Sequence, residues 1–251
     1  MAQQRLDKII ASTGRYSRRE VKTLVREGRV LVDGRIAASA EDKCDPLTAC
    51  ISVNGEELFY REHTYVMLHK PAGVLSATED GRGETVLDLL APEYRKIGLF
   101  PVGRLDKDTE GLLLLTDDGA LAHDLLAPKK HVDKVYFVRT DGALDDADCK
   151  TFEQGITLGD GLECLPAKLE ILKSNAQSEA LITIHEGKFH QIKRMLASRG
   201  KPVVYLKRLS MGSLTLDEGL SKGEYRLLTA EEIKNLRESG QFAQVKAGAD
   251  K

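Results

Sequence analysis

Four consecutive leucines, Leu112–Leu115, end on Thr116 and follow directly on a charged loop bracketed by Gly103 and Gly111. An apolar run this short, stopped by Asp117-Asp118-Gly119, predicts a buried strand closed by a turn. The loop ahead of it, Arg104-Leu105-Asp106-Lys107-Asp108-Thr109-Glu110, is thereby anchored to core. A carboxylate on such a segment can be aimed and partly desolvated, which makes Asp106 the candidate for chemistry. The competing reading makes Arg104, Asp106 and Asp108 a solvated loop.

No apolar run approaches the ~18 residues of a membrane span, and the first residues lack the hydrophobic segment of a secretion signal. A cytoplasmic protein without membrane contact is therefore expected. Cys44, Cys50, Cys149 and Cys164 are scattered and form no C-x-x-C pair. Reduced thiols follow, with no disulfide framework and no metal site. The glycine fingerprints of nucleotide-binding loops are absent, so no nucleotide cofactor is implied.

The net charge of −2 conceals an asymmetry. Residues 1–35 hold nine basic side chains against four acidic ones, a surplus of five, and the remainder carries about −7. A sign split of this kind points to an interaction surface at the N-terminal end. Leu6, Ile9 and Ile10 fall at helical spacing, and Gly14 stops that helix. Ser17 with Glu20 forms the capping-box pattern of a second helix, whose apolar stripe is Val21, Leu24 and Val25. Arg18, Arg19, Lys22, Arg26 and Arg29 fall largely outside the stripe. Gly28 ends the helix, residues 29–32 read as a strand, and Asp33-Gly34 makes a tight turn. Cys50–Val53 with Asn54-Gly55 predicts a further strand that closes this domain near residue 60.

Arg5-Leu6-Asp7-Lys8, Gly14, Ser17-Arg18-Arg19-Glu20 and Gly28-Arg29-Val30-Leu31-Val32-Asp33-Gly34 together resemble the S4 RNA-binding domain. The resemblance implies binding of structured RNA through phosphates and shape, with Arg5, Lys8, Arg18, Arg19, Lys22, Arg26 and Arg29 as contacts.

Beyond residue 61 the pattern becomes that of a larger mixed domain. Strands are predicted at Tyr65–His69, Lys134–Val138, Ala180–His185 and Val203–Leu206, and helices at Thr85–Leu90, Ala120–Leu126 and Gln191–Ser198. Tyr136 alternates with Val135 and Phe137, so it can face a cleft while they face core. Domains at 1–60 and 61–240 and a flexible tail at 241–251 complete the division.

The motifs of this second domain are Lys70-Pro71-Ala72-Gly73-Val74, Pro101-Val102-Gly103-Arg104-Leu105-Asp106, Lys134-Val135-Tyr136, and Glu186-Gly187-Lys188 through Arg194-Met195. In this order and spacing they resemble the pseudouridine synthases, in the RsuA-type branch that sets an S4 domain ahead of the catalytic one. The implied fold is α+β: a catalytic domain with a mixed, largely antiparallel sheet, preceded by a small α/β S4 domain. The implied reaction turns a ribosomal RNA uridine into pseudouridine, without cofactor, on a monomeric enzyme.

Carried over residue by residue, Asp106 is the catalytic aspartate, acting as nucleophile or as base, and Tyr136 stacks on the target base. Lys193 supplies the cation that pairs with the carboxylate, with Arg194 as its rival. Arg104 would hold the nucleotide or position Asp106, Arg194 would hold the nucleotide, Leu228 would floor the site or serve equally as ordinary core, and Lys188 would join the RNA contacts. Lys193, Arg194, Arg199, Lys201, Lys207 and Arg208 would extend them as a second basic arm. Asp108 and Glu110 would serve loop shape and solvation. The branch points to uridine 516 of 16S rRNA, with a 23S uridine as the alternative. A non-catalytic S4-type ribosome assembly factor and a carboxylate glycosidase are the rival classes.

Overall fold

The computed structural model describes residues 3–127 and 130–246. The chain divides into two compact units, one running to Thr64 and taking in Leu90–Leu99, the other holding the remainder from Tyr65. The segment Leu90–Leu99 therefore departs from a simple boundary near residue 60.

In the first unit the helices Leu6–Ser12 and Arg18–Arg26 pack over a four-stranded sheet. The capping box forms as its sequence pattern requires: the Glu20 amide donates to Ser17 Oγ at 3.2 Å, and the Ser17 amide donates to the Glu20 carboxylate at 2.6 Å. The strands run in the order Arg35–Ile36, Val30–Val32, Ile51–Val53, Glu56–Leu58, each antiparallel to its neighbour. Two tight turns make these hairpins, and both have left-handed residues at their centres: Asp33 and Gly34 (φ 51° and 76°), and Asn54 and Gly55 (φ 57° and 81°). Leu6, Ile9, Ile10, Val21, Leu24, Val25, Val30, Ile51 and Val53 bury a single small core. Arg5, Lys8, Arg18, Arg19, Lys22, Arg26 and Arg29 stay exposed.

The second unit is built on a mixed sheet, nine-stranded among the described residues. Its main path runs Lys168–Lys173, Gln177–Ile184, Lys134–Asp141, Val203–Met211, Glu110–Thr116, Tyr65–Lys70, Tyr225–Leu227. The pairings are antiparallel except that between Val203–Met211 and Glu110–Thr116. The leucine strand and its neighbour Tyr65–Lys70 are buried along their whole length, so both faces are covered. At the single parallel junction Gly111 lies beside Arg208 with φ 105°, and a β-carbon there would stand 2.2 Å from the Arg208 carbonyl oxygen. Only glycine lets the two backbones approach this closely.

Several expectations are corrected. Thr85–Leu90 is not helical. Leu75 donates to the Glu84 carbonyl and Val86 to the Leu75 carbonyl, and Asp88 Oδ2 accepts from both the amide and the hydroxyl of Thr85. Those donors and acceptors are spent on a turn, and the helix starts instead at Pro92–Lys96, where proline occupies the first turn. The C-terminal helix Ala230–Lys246 extends into the segment 241–251 expected as a tail. Residues 247–251 lie outside the described residues.

Leu228 is core: it is 8% exposed among Tyr65, Met67, Val102 and Leu112. Arg208 is 2% exposed and donates from Nε to the Leu112 carbonyl at 2.8 Å, so it cannot grip RNA. Arg199 and Lys201 both bond the fully buried Asp148 and tie the helix Gln191–Ser198 to Asp146–Gln154. Buried carboxylates demand such partners, which the charge count along the sequence does not reveal.

Gly111→Ala should destabilise the second unit by about 3 kcal/mol or more, because strain at positive φ adds to a backbone collision. Urea unfolding of the full chain checks it.

Candidate active site

The loop between Val102 and the leucine strand is held by a single buried cation. Lys70 ends the strand Tyr65–Lys70, is fully buried, and reaches Nζ to four backbone carbonyls: Pro71 at 2.9 Å, Asp106 and Lys107 at 3.2 Å, and Thr109 at 3.0 Å. Ser76 adds a reciprocal pair, its hydroxyl donating to the Leu105 carbonyl at 3.0 Å and accepting from the Leu105 amide at 3.1 Å. The Gly73 amide donates to the Lys107 carbonyl at 2.7 Å. The loop's carbonyls are thus turned inward, and the Asp106 side chain is left to point into a pocket.

Burial draws the Lys70 pKa down to about 8, against the opposing pull of Asp108, Asp106 and Glu110. The sequence reading passed over this lysine. Its signal was there: a lysine closing the apolar run Val66-Met67-Leu68 just before a proline is a charge with nowhere to be solvated.

The pocket has a polar wall of Arg104, Asp106, Lys188, His190 and Lys193 and an apolar wall of Leu105, Tyr136, Ile184 and Leu206. Lys193, on the first turn of the helix Gln191–Ser198, places Nζ 3.2 Å from Asp106 Oδ2 and 2.5 Å from Asp108 Oδ1. His190 Nε2 stands 3.6 Å from Asp106 Oδ1. Burial pulls the Lys193 pKa down, but its bonds to Asp108 and Asp106 outweigh this and hold it above that of an ordinary lysine. The Lys193 bond likewise holds Asp108 below the usual carboxylate range. Arg194 turns away and bridges Asp160 at 2.5 Å, so of the two basic residues it is Lys193 that meets Asp106.

Other expected roles change. Asp108 is not mere solvation, because it shares Lys193 with Asp106. Glu110 is buried, accepting from the Tyr205 hydroxyl at 2.7 Å and from Lys222 at 2.9 Å, and so belongs to the scaffold. Tyr136 is 7% exposed and shares its face with Lys134 and Val138, whereas Val135 and Phe137 lie on the more open face. Tyr136 lines the pocket as expected, but Val135 and Phe137 do not face core, because the pocket is sunk into the covered face of the sheet.

Lys188 spends its ammonium on Glu186 and on the Glu163 carbonyl. Arg104 stands exposed at the rim. His190, which the sequence placed in a motif without a role, has φ 50° and ψ 32° and no side-chain cap. A left-handed histidine costs about 1 kcal/mol or more and is held by its surroundings.

The family description RNA pseudouridylate synthase matches residues 64–198, and that of the S4 domain matches residues 4–46. The chain belongs to the RNA pseudouridylate synthase family. It has the RsuA-type arrangement, an isomerase domain preceded by an S4 domain. It is 51% identical to the RNA pseudouridine synthase YtzG of Bacillus subtilis over 236 residues, covering 93% of this chain and 98% of the relative. Identity to the ribosomal small subunit pseudouridine synthase A of Vibrio cholerae is 41%, covering 92% and 99%. A ribosomal large subunit pseudouridine synthase B of Bacillus subtilis is 39% identical, covering 93% and 96%. A crystal structure of a pseudouridylate synthase superposes with a TM-score of 0.64 at 37% identity, covering 93% of this chain and 99% of the other. Among the described residues no helix is long and apolar enough to cross a membrane.

Lys70→Met should orphan four inward carbonyls, cost roughly 2–4 kcal/mol, and lower isomerisation about a hundredfold by loosening the loop. In the native chain, activity should fall as pH rises through about 8, when the Lys70 ammonium loses a proton. Stability should not fall with it on this account. The folded pKa lies below the unfolded value of ~10.4, so between the two the unfolded chain binds more protons and the native state gains as pH rises. Single-turnover rates and urea midpoints measured across pH 7–10 separate the two effects.

Proposed function

We propose that this pseudouridine synthase isomerises a uridine of ribosomal RNA, and specifically uridine 516 of the 16S small-subunit rRNA. The observation that carries the catalytic part is Asp106 on a clamped loop with Lys193 Nζ 3.2 Å from its carboxylate. The ammonium lies against the carboxylate and supplies the opposite charge that a partly desolvated acid requires. Asp106 acts at the ribose, attacking the anomeric carbon or removing the proton of the neighbouring carbon.

The bond from N1 to the anomeric carbon breaks, the uracil turns within the pocket, and C5 bonds to that carbon. The proton released from C5 is balanced by one gained at N1. Nothing is oxidised or reduced, so no cofactor takes part. Tyr136, with Ile184 and Leu206 beside it, gives the turning base an apolar wall, and its hydroxyl is the nearby group for the final proton. Arg104 at the rim holds the nucleotide's phosphates.

A uridine within paired RNA hides both its anomeric carbon and its base face, so the target is extruded at a cost of a few kcal/mol. Affinity comes from the exposed cations Arg5, Lys8, Arg18, Arg19, Lys22, Arg26 and Arg29. The small-subunit assignment is supported by the Vibrio cholerae relative and by the motif His190-Gln191-Ile192-Lys193-Arg194. Monomeric action in the cytoplasm completes the reading.

Asp106→Asn should lower isomerisation at least ~10³-fold and leave RNA affinity within about twofold. Turnover by this variant would refute the role. Binding should weaken steeply with salt, and Arg18→Ala with Arg19→Ala should reduce the slope of log affinity against log salt by about two. Pseudouridine mapping of 16S and 23S rRNA from cells lacking the gene tests the target. Loss at a 23S position alone would overturn the small-subunit assignment.

A further inference from the structure

Phe189 is the most exposed large apolar side chain among the described residues, 75% open to solvent, yet it sits in the sequence between two residues that line the pocket, Lys188 and His190. Its ring is not loose. It stacks on the His190 imidazole with centroids 3.9 Å apart and planes 18° from parallel. His190 in turn points Nε2 at Asp106, 3.6 Å away, from a left-handed backbone that aims the ring toward the loop. The three groups therefore form a row, with the carboxylate inside the pocket, the imidazole at its mouth, and an aromatic face turned outward.

An exposed phenylalanine next to a pocket whose lining includes Arg104, Lys188 and Lys193 is poorly suited to an apolar protein face or a lipid surface. It suits a ligand that is flat and aromatic yet carries negative charge on its backbone, which describes a nucleotide. The pocket wall of Tyr136, Ile184 and Leu206 takes the target uracil, so the outward ring is left for another base.

Resting on the rRNA reading above, we propose that Phe189 backed by His190 is a stacking platform at the pocket mouth. It receives an unpaired nucleobase adjacent to the extruded uridine. Extrusion breaks the stack on both sides of the target, and an aromatic plane at the mouth restores one of the lost contacts. Phe189 is thus a positioning residue: it holds the strand so that the ribose lies against Asp106. Because the stack extends through His190, it couples base capture to the ring beside the carboxylate.

The chain contains no tryptophan, so Phe189→Trp installs a single indole reporter. The full-length protein is first assayed on 16S and 23S rRNA transcripts to map the uridine it modifies, and an oligoribonucleotide spanning that site then serves as the probe. When Phe189→Trp is combined with Asp106→Asn, binding should quench the indole emission. An abasic nucleotide at one neighbour of the target should restore the emission while filter binding still shows the complex. With Asp106 intact, Phe189→Ala and Phe189→Leu should each lower kcat/KM about tenfold, Phe189→Tyr should stay near the native value, and the thermal midpoint should not move.

Unquenched emission in a formed complex overturns the platform. So does quenching indifferent to abasic sites on both sides, or Phe189→Ala at native kcat/KM. If the native chain modifies neither transcript, the rRNA reading itself falls and takes the platform with it. If it modifies one and the Phe189 variants behave as native, only the platform falls.

Discussion

One ammonium group organises the catalytic half of this protein. Lys70 is carried into the interior at the end of a strand with no exposed face, and burial alone would make its charge costly. Four carbonyls converge on it, three of them from the segment that bears Asp106. The lysine satisfies the loop and the loop solvates the lysine, so neither is stable in this form without the other. An irregular segment beside a sheet has no ladder of its own to fix its carbonyls. Here the side chain of the preceding strand does so, and the loop gains the rigidity of the core.

That rigidity is what makes the second charge pair useful. Lys193 approaches from the helix Gln191–Ser198, a different part of the chain, and meets Asp106 and Asp108 together. A flexible loop would let the two carboxylates close around the ammonium in any arrangement. A clamped one holds Asp106 toward the pocket and leaves Asp108 largely exposed on the outer side. Gly111 and Arg208 bring the two halves of the sheet within reach of each other. Without that close backbone approach, the loop and the strand carrying Tyr136 would not border one pocket.

Much of this was legible residue by residue. Helix starts were readable wherever a side chain closes a local hydrogen bond, as Ser17 and Glu20 do, because cap and capped amide lie three residues apart. The helix Gln191–Ser198 was readable from its apolar spacing. Thr85–Leu90 misled because its backbone groups bond Leu75, about ten residues away, and no local pattern records that. Arg208 misled in the same way, and Leu228 stayed open between core and pocket floor until the structure placed it in the core. A leucine looks alike as core or as pocket floor, and an arginine beside a lysine looks like an RNA contact until its guanidinium is found under a leucine strand.

The sequence by itself determined the two-part organisation of the chain, the basic N-terminal surface, the buried leucine strand and the identity of Asp106 as the residue to watch. Each rests on local spacing, charge or a contiguous motif. Only the tertiary structure decided that Lys193 rather than Arg194 meets Asp106, that Lys70 holds the loop, that Tyr136 lies on the covered face, and that Phe189 stacks outward on His190. Those outcomes depend on which distant groups compete for the same charge or the same buried space. Asp160 takes Arg194 and Asp148 takes Arg199 and Lys201, and what remains for the pocket is settled by pairings the linear order does not contain.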